Sequence, residues 1–302
     1  MYSISPVSGL HSLPQPVAVV CHDAGAANVI LAEIQACPEI QCLPVMEGPS
    51  INLWQAAGKD TSDLVSLEDA LSRAASLLTG TSWASDLEHE ARQRARQLGL
   101  RSAAVIDHWV NYASRFIRNG DIVQPDEFWV TDSYAFEIAS KALPGTSIRK
   151  IPNLYLQNQV DEIAAFGPPR SANRVLYVLE PVRFTWPGCK QPGEFEALDY
   201  FVENLGKLMN PLTAQLKLRP HPSDATGKYD AWLRAHTHLD TAIDNSRSLS
   251  QAISEAGWVA GCESMALVVA LAAGRKTVAT LPPEAPLCRL PQEGLIHLRL
   301  IG

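Results

Sequence analysis

The chain has 302 residues, of which 46% are hydrophobic and 19% are charged, and its formal net charge is −7. This length exceeds the usual size of one core and predicts two domains, while the composition excludes an intrinsically disordered chain. The acidic balance argues against general binding of nucleic acid, which needs a basic surface.

Three features of the sequence bear on the compartment of the protein. Residues 1–16 predict an irregular leader that lacks the basic start and apolar middle of a signal peptide. The most apolar stretch, residues 258–274, is interrupted by Glu263 and falls short of a clean membrane span. None of the six cysteines forms Cys-x-x-Cys or a zinc-finger spacing with histidine. We therefore expect a cytoplasmic protein with reduced, buried thiols and no integral membrane segment.

The N-terminal half repeats the order of buried strand, polar tip and helix. Apolar runs predict strands near residues 16–21, 41–46, 102–106, 127–131 and 148–151. Helical periodicity predicts helices over residues 29–36, 64–78, 85–97 and 133–142. Ser85 to Glu88 resembles a capping box, and the arginines of that helix, Arg92, Arg94 and Arg96, predict a solvated face. This alternation is typical of a Rossmann-like domain, although the first turn lacks the dinucleotide pattern G-x-G-x-x-G.

Polar side chains follow these strands, where a doubly wound sheet binds its ligands. Asp23 and Asp107 are candidate general bases, because a carboxylate at a strand tip could take a proton from an attacking hydroxyl. Asp23 could equally cap the next helix, and Asp107 could be a hydrogen-bonded structural residue. Trp109 could stack on a sugar or base, or simply pack. The other candidate ligand-binding residues at these tips are His22, Asn28, Ser82, His108 and Arg115.

The C-terminal half repeats the same α/β order. The Gly-Pro-Pro run at residues 167–169 predicts a linker, so we place the domains at residues 1–165 and 166–302. Apolar runs predict strands near residues 174–179, 216–219, 239–243, 258–260 and 276–280. Periodicity predicts helices over residues 194–209, 228–237, 248–256 and 265–273.

The stretch from Leu216 to Asp224 breaks at Arg219-Pro-His221-Pro. Two prolines around His221 stop the strand and hold the imidazole at its end. Arginine offers a planar fork to phosphate oxygens, and histidine adds a hydrogen-bond donor. Arg219, His221 and the nearby Ser223 are therefore candidate phosphate ligands. The alternative is a strand that ends in a surface histidine.

A second anion-binding pattern follows the strand at residues 258–260. Gly261 allows a ligand to approach the backbone, and the helix that opens near Ser264 presents unpaired N–H groups. Glu263 could accept ribose hydroxyls. The alternative is an ordinary capped helix start, which is compatible with ligand binding.

Two Rossmann-like halves, the Arg219-Pro-His221-Pro strand tip and the Gly261-Cys-Glu263-Ser264 helix start resemble GT-B glycosyltransferases. They are nearest to bacterial capsule and lipopolysaccharide enzymes that use CMP-linked or CDP-linked donors. The resemblance implies an α/β fold of two Rossmann-like domains with a cleft between them. It implies that His221 and Ser264 contact the donor's phosphate, and that the acidic base lies in the N-terminal domain. The Ser-Ser or Ser-Thr pair of several such families is Glu263-Ser264 here.

We therefore predict an inverting transfer of a sugar or glycerophosphate group from a nucleotide-activated donor to a saccharide or small-molecule acceptor. Such transfer would serve the synthesis of surface polysaccharide or glycoconjugate. We expect no cofactor and no metal, because the sequence lacks an Asp-x-Asp pair flanked by apolar residues. A nucleotide-sugar hydrolase or 2-epimerase of the same fold is the first alternative. A non-catalytic protein that binds a nucleotide sugar is the second.

Overall fold

The computed structural model describes residues 8–302, so the first seven residues of the predicted leader lie outside the described residues. The chain divides into two units, one ending at Tyr155 and the other running from Leu156 to Gly302. The sequence placed the boundary after residue 165, at the linker, whereas the helix before that linker groups with the second unit.

The first unit contains a parallel sheet with helices on both of its faces. Its strands in chain order are β1 (Val17–Cys21), β2 (Cys42–Met46), β3 (Ser76–Thr79), β4 (Arg101–Val105), β5 (Ile117–Arg118), β6 (Asp121–Ile122), β7 (Glu127–Val130) and β8 (Ser147–Lys150). Its helices are α1 (Ala24–Ala36), α2 (Pro49–Ala56), α3 (Leu67–Arg73), α4 (Leu87–Leu98) and α5 (Ser133–Ala142). Six strands pair in the order β2-β1-β3-β4-β7-β8, and β5 and β6 form a separate antiparallel pair.

Burial on both faces explains why the strands read as continuous apolar runs. Val17, Val19 and Cys21 of β1 pack into one core cluster, which includes residues of α1. Ala18 and Val20 pack into a second cluster, which includes residues of α3 and α4. Successive side chains of a strand point to opposite faces, so a sheet covered on both sides needs an apolar residue at every position.

The second unit repeats this architecture. Its helices are α6 (Leu154–Ala165), which begins at the division between the units, α7 (Gly193–Glu203), α8 (Asp230–Ala235), α9 (Leu249–Glu255) and α10 (Met265–Ala272). Its strands are β9 (Ser171–Val178), β10 (Gln215–Arg219), β11 (Asp240–Ile243), β12 (Ala256–Gly261), β13 (Lys276–Ala279) and β14 (Ile296–His297). All six strands are parallel, in the order β11-β10-β9-β12-β13-β14.

The order of the strands identifies where each sheet can bind a ligand. In the first sheet the direction of winding reverses between β1 and β3, and in the second it reverses between β9 and β12. At such a switch point the loops after the two strands diverge to opposite faces and leave a crevice at the carboxyl edge. The prediction of two Rossmann-like α/β domains is confirmed.

Several predicted elements need correction. The helix expected over residues 64–78 is the shorter α3, and the residues that follow it form β3. Helix α2, which the sequence did not predict, begins at Pro49, where proline is favoured because its missing N–H has no helical partner. The sheet continues past β13 with β14, whose two residues are too few to show a period. Fragmentary apolar runs of this kind do not separate helix from strand.

Arg92 and the predicted capping box also differ from expectation. Arg94 and Arg96 are exposed, but Arg92 is buried and donates to Val123 O (3.0 Å), Thr79 Oγ1 (3.0 Å) and the Gly80 carbonyl (3.2 Å). Glu88 does not turn back to the helix start, because its carboxylate is bonded to loops that follow β1 and β3. The two buried side chains lie on the same face of α4, one turn apart.

The most apolar helix, α10, is buried in the second unit over most of its length. Among residues 8–302, no helix has both the length and the apolar character needed to cross a bilayer.

Candidate functional site

The switch point of the first sheet is organised around Glu88. Its Oε1 accepts the backbone N–H of His22 after β1 (3.1 Å), and its Oε2 accepts the N–H of Ser82 after β3. Burial raises the pKa of Glu88 to about 7, although these N–H bonds and the nearby Arg92 act in the opposite direction. One carboxylate therefore ties together the two loops that border the crevice.

His22 and Asp23 lie directly beside this carboxylate. His22 Nδ1 is 2.7 Å from Asp23 Oδ1 and 3.5 Å from Ser82 Oγ. Asp23 occupies the N-cap position of α1, yet its carboxylate bonds to His22 and not to the helix N–H groups. The capping alternative for Asp23 is therefore not what the geometry favours. Gly48 packs against the imidazole, since an added Cβ there would lie 2.5 Å from His22 Nε2.

The tip of β4 carries Asp107, whose carboxylate is ion-paired. Asp107 Oδ1 accepts from Arg115 Nη1 at 3.0 Å, and the same nitrogen donates to Thr81 Oγ1 at 2.9 Å. Arg115 is buried, so this pair joins the loops after β3 and β4. Asp107 also lies against Gly25 at the start of α1, where an added Cβ would overlap Oδ2. Only glycine allows this approach of helix to carboxylate.

The remaining predicted residues of this unit lie along the same carboxyl edge. Trp109 is buried and donates from Nε1 to Asp132 Oδ2 at 3.0 Å, and Asp132 also caps α5 through the N–H of Ala135. The ring of His108 contacts Trp109 edge-on, with centroids 5.4 Å apart. Asn28 lies in the second turn of α1, half-buried.

The switch point of the second sheet is organised around Glu180, two residues after the end of β9. Its Oε1 accepts the N–H groups of Glu263 (2.9 Å) and Ser264 (3.0 Å), which precede α10. Burial raises the pKa of Glu180 to about 7, since desolvation outweighs the N–H bonds. Gly261 makes room for this arrangement, because a Cβ there would lie 3.0 Å from Val178 O and 3.3 Å from Glu180 Oε1.

The backbone groups predicted to bind a phosphate thus already hold an anion from the chain itself. Ser264 Oγ accepts the N–H of Ala266 at 3.1 Å and so caps α10. Glu263 turns toward Arg289, whose Nε lies 3.1 Å from Oε1 and whose backbone N–H lies 3.1 Å from Oε2. A carboxylate at a helix start is favoured by the dipole, so Glu180 is the internal equivalent of a bound anion.

His221 is oriented by Ser223 in the loop after β10. The N–H of Ser223 lies 3.2 Å from His221 Nδ1, and Ser223 Oγ lies 2.8 Å from the same atom. Because Nδ1 accepts a backbone N–H, the proton of the neutral ring is on Nε2, which can donate to a ligand. Arg183, which follows β9, donates from Nη2 to Ser223 Oγ at 2.6 Å. This bond joins the loop after β10 to the segment that follows the neighbouring strand, β9.

The base of this loop is held by Asp224. Its carboxylate accepts the His221 N–H (3.0 Å), Lys228 Nζ (2.7 Å) and Tyr229 Oη (3.1 Å). Burial alone would raise the pKa of Asp224, but these bonds together lower it below its usual range. An ionised Asp224 therefore fixes the loop at neutral pH.

Arg219 does not bond to the loop that carries His221. Its Nη1 pairs with Asp244 after β11 and lies 3.4 Å from Ser246 O. The structure thus connects His221 and Ser264 through the tip of β9: Arg183 reaches one loop and Glu180 the other. Arg219 is on the far side of β10, engaged with β11.

Sequence reasoning missed the two residues that organise the site. The sequence pattern predicts Glu88 as part of a capping box, and it assigns no role to Glu180. A charged residue directly after a fully apolar run, as at Glu180, is a usable signal, because it must find partners where the strand ends. No local pattern marks Glu88, whose partner His22 is distant in sequence.

Comparison with models of known protein families gives no match for this sequence, and comparison with curated proteins gives none either. Solved structures are similar in fold. A UDP-GlcNAc 2-epimerase from Methanocaldococcus jannaschii matches with a TM-score of 0.60 at 9% identity, over 87% of this chain and 83% of that chain. A UDP-GlcNAc 2-epimerase from Neisseria meningitidis, bound to UDP-GlcNAc, matches with a TM-score of 0.57 at 9% identity, over 87% and 81%. One from Rickettsia bellii matches with a TM-score of 0.53 at 11% identity, over 87% and 78%.

At these identities the similarity shows the fold. The predicted GT-B-like fold of two Rossmann-like domains is confirmed. The nearer resemblance to capsule transferases with a His-Pro motif stays a prediction, as do the roles of the predicted site residues.

The pKa of Glu88 predicts a pH dependence of stability. With a folded pKa of about 7 and an ordinary value near 4.5, the folded chain keeps a proton that the unfolded chain has released between these pH values. The free energy of unfolding should therefore fall as pH rises from 5 to 7, by up to about 1.4 kcal/mol per pH unit, and level off above 7. Urea unfolding of wild type and Glu88→Gln at pH 5, 6, 7 and 8 measures this. The variant should lose the contribution of Glu88 and show a shallower slope, while the contribution of Glu180, whose pKa is also raised to about 7, remains. Glu68→Gln, at an exposed glutamate of the same unit, is the control; equal slopes in all three proteins would contradict the prediction.

Proposed function

We propose that this chain transfers a sugar or glycerophosphate group from a nucleotide-activated donor, without a metal or cofactor in the reaction. The observation that carries the proposal is the linked set of donors at the switch point of the second sheet. His221 and the N–H groups before α10 lie on loops flanking β9, and Glu180 and Arg183 of the β9 tip bond to both loops. Neutral donors on two loops that are both bonded to the tip of β9 suit the phosphates of a nucleotide.

The donor's phosphate would be stabilised as a leaving group by hydrogen bonds. Nε2–H of His221 would donate to a phosphate oxygen as the bond to the transferred group breaks. The N–H groups of Glu263 and Ser264 would donate to another, once Glu180 has been protonated or displaced. Arg219 is paired with Asp244, so we assign it a structural role in the loop and not direct contact with phosphate.

A general base would take the proton from the acceptor hydroxyl. We favour Asp23 over Asp107, because the Asp23 side chain is 36% exposed and is oriented by His22, whereas Asp107 is 20% exposed and ion-paired with Arg115. The Asp107 oxygen that faces Arg115 is already occupied by that hydrogen bond. Transfer in one displacement would invert the reacting centre.

Hydrolysis or 2-epimerisation of a nucleotide sugar is the second candidate function. It is supported by the fold similarity to three 2-epimerases, one of them bound to UDP-GlcNAc. Both candidates use the same donor site and differ in what attacks. Localisation in the cytoplasm, where nucleotide-activated donors are made, belongs to the same proposal.

Removal of the His221 imidazole should weaken nucleotide binding. Isothermal titration with CMP, CDP, UDP and CDP-glycerol is expected to show binding of at least one of them, and His221→Ala should weaken it about 10- to 100-fold, the value of a charge-assisted hydrogen bond. His238→Ala, at an exposed histidine of the same unit, is the matched control. Binding that is equal in His221→Ala and wild type would overturn the donor site.

The position of Glu180 predicts that affinity for donor falls as pH rises. Above its pKa of about 7 the carboxylate is ionised, holds the N–H groups and repels phosphate, so affinity should drop up to tenfold per pH unit. CDP-glycerol and nucleotide sugars suit the measurement, because their phosphates are diesters and do not titrate in this range, unlike a monoester. Glu180→Gln should bind about tenfold more tightly at pH 8 and show little pH dependence. Glu284→Gln, an exposed glutamate, should behave as wild type, and weaker binding by Glu180→Gln at every pH would mean that the carboxylate contacts the ligand directly.

Incubation with nucleotide sugars in the absence of acceptor separates the two candidate functions. If the chain is a transferase, the donor should stay intact when no acceptor is present. A hydrolase would release free sugar in the same time, and an epimerase would release or form the 2-epimer. Asp23→Asn should reduce turnover by about 100-fold or more in either reaction, whereas Asp63→Asn, at an exposed aspartate, should not. Rapid release of free sugar by the wild type would contradict the transferase proposal and support hydrolysis.

A further inference from the structure

Three side chains of metal-ligating type meet where α1 ends. Nε2 of His11 lies 3.7 Å from Sγ of Cys37 and 3.6 Å from Oε1 of Glu39. The ligand atoms of all three residues lie within 4.8 Å of one another. Cys37 is buried, while His11 and Glu39 are exposed. A soft thiol, an imidazole and a carboxylate thus face one point at the surface.

These separations fit the coordination of one ion. Zinc bonds of about 2.3 Å to sulfur, 2.0–2.1 Å to nitrogen and 2.0–2.2 Å to oxygen place tetrahedral ligand atoms roughly 3.4–3.6 Å apart. Both distances from His11 are close to these values. The remaining separation, between Cys37 and Glu39, closes by rotation of the Glu39 side chain, which is 61% exposed and free to change rotamer.

The backbone around the three residues is already held in place. The N–H of Cys37 donates to Ile34 O at the end of α1, and the N–H of Ile40 donates to Cys37 O at 3.1 Å. The segment carrying His11 is fixed from the other side, because the N–H of Gly9 donates to Glu33 Oε2 at 2.7 Å. Little ordering remains to be done on binding, which favours affinity.

We propose that His11, Cys37 and Glu39 bind a divalent transition-metal ion, of which zinc best suits this ligand set. The Cys37 thiol loses its proton to solvent and binds as thiolate, His11 binds through the Nε2 lone pair of the neutral ring, and Glu39 binds through one carboxylate oxygen. Water completes the tetrahedron.

The position of this site argues for a structural role. α1 begins at the carboxyl edge of the sheet, next to Asp23, and its 13 residues end before Cys37. At 1.5 Å per residue the helix spans about 20 Å, so the ion would lie at the opposite edge from the switch-point loops. It would join the segment that precedes β1 to the turn that precedes β2, and so restrict a loop of the unfolded chain.

Titration of the full chain with Zn²⁺, after treatment with a chelator, tests the proposal. One ion per chain should bind, with release of a proton that appears as a dependence of the heat on buffer. Cys37→Ser and His11→Gln should each weaken binding about 100-fold or more, and Glu39→Gln about 10-fold. His11 is exposed, so His11→Gln is informative even if Cys37→Ser impairs folding. Cys42→Ser and His238→Gln are matched controls that should bind as wild type.

A second measurement reports the ligand directly. Co²⁺ in place of Zn²⁺ should give a near-ultraviolet thiolate-to-metal band that Cys37→Ser abolishes and Cys42→Ser retains, and Zn²⁺ should raise the Tm of wild type but not of His11→Gln. Absence of stoichiometric Zn²⁺ binding, or binding that survives both Cys37→Ser and His11→Gln, would overturn the proposal.

Discussion

A carboxylate bonded to backbone N–H groups holds together the switch point of each sheet. Glu88 joins the loops after β1 and β3, and Glu180 joins the tip of β9 to the residues after β12. In both cases burial raises the pKa of the carboxyl group to about 7. The N–H bonds favour the ionised carboxylate, but its loss of contact with water costs more free energy than these bonds return. The loops need these carboxylates, because N–H groups at the ends of parallel strands and the starts of helices have no partner within the sheet.

This arrangement has a consequence for charge at the candidate site. Cationic side chains near the switch points are already paired with carboxylates: Arg115 with Asp107, Arg219 with Asp244, Arg289 with Glu263 and, at 3.7 Å, Arg183 with Asp224. A phosphate would therefore be bound chiefly by neutral donors, which are backbone N–H groups and the imidazole of His221. An acidic chain can bind an anion in this way, because the relevant field is that of the local dipoles and not of the net charge.

The proposed metal site follows from a different part of the same architecture. Helix α1 begins next to Asp23 at the candidate site and ends next to Cys37, so its two ends lie at opposite edges of the sheet. A ligand at one end and an ion at the other need not interact. The ion would stabilise the entry of the chain into the first unit, whereas the loops at the other edge determine which ligand is bound.

The sequence by itself determined the fold class and the positions of the chemistry-bearing loops. Apolar runs with polar tips predicted ten of the twelve strands of the two parallel sheets, since parallel strands covered on both faces must be apolar throughout. The two prolines around His221 marked the end of a strand, and the glycine at residue 261 marked a close approach of the backbone to Val178 O and Glu180. Elements of two residues, such as β14, and the break between α3 and β3 lay below what local periodicity can resolve.

Only the tertiary structure decided which side chains meet. Arg92 is buried, Arg219 is turned to Asp244 and Glu88 reaches His22, and none of these pairings is marked by local pattern. His11 and Cys37 are likewise distant along the chain, although their side chains are adjacent in space. The reason is physical: periodicity records which face of an element is buried, whereas the partner of a polar group depends on how distant elements pack, and that is a property of the whole fold.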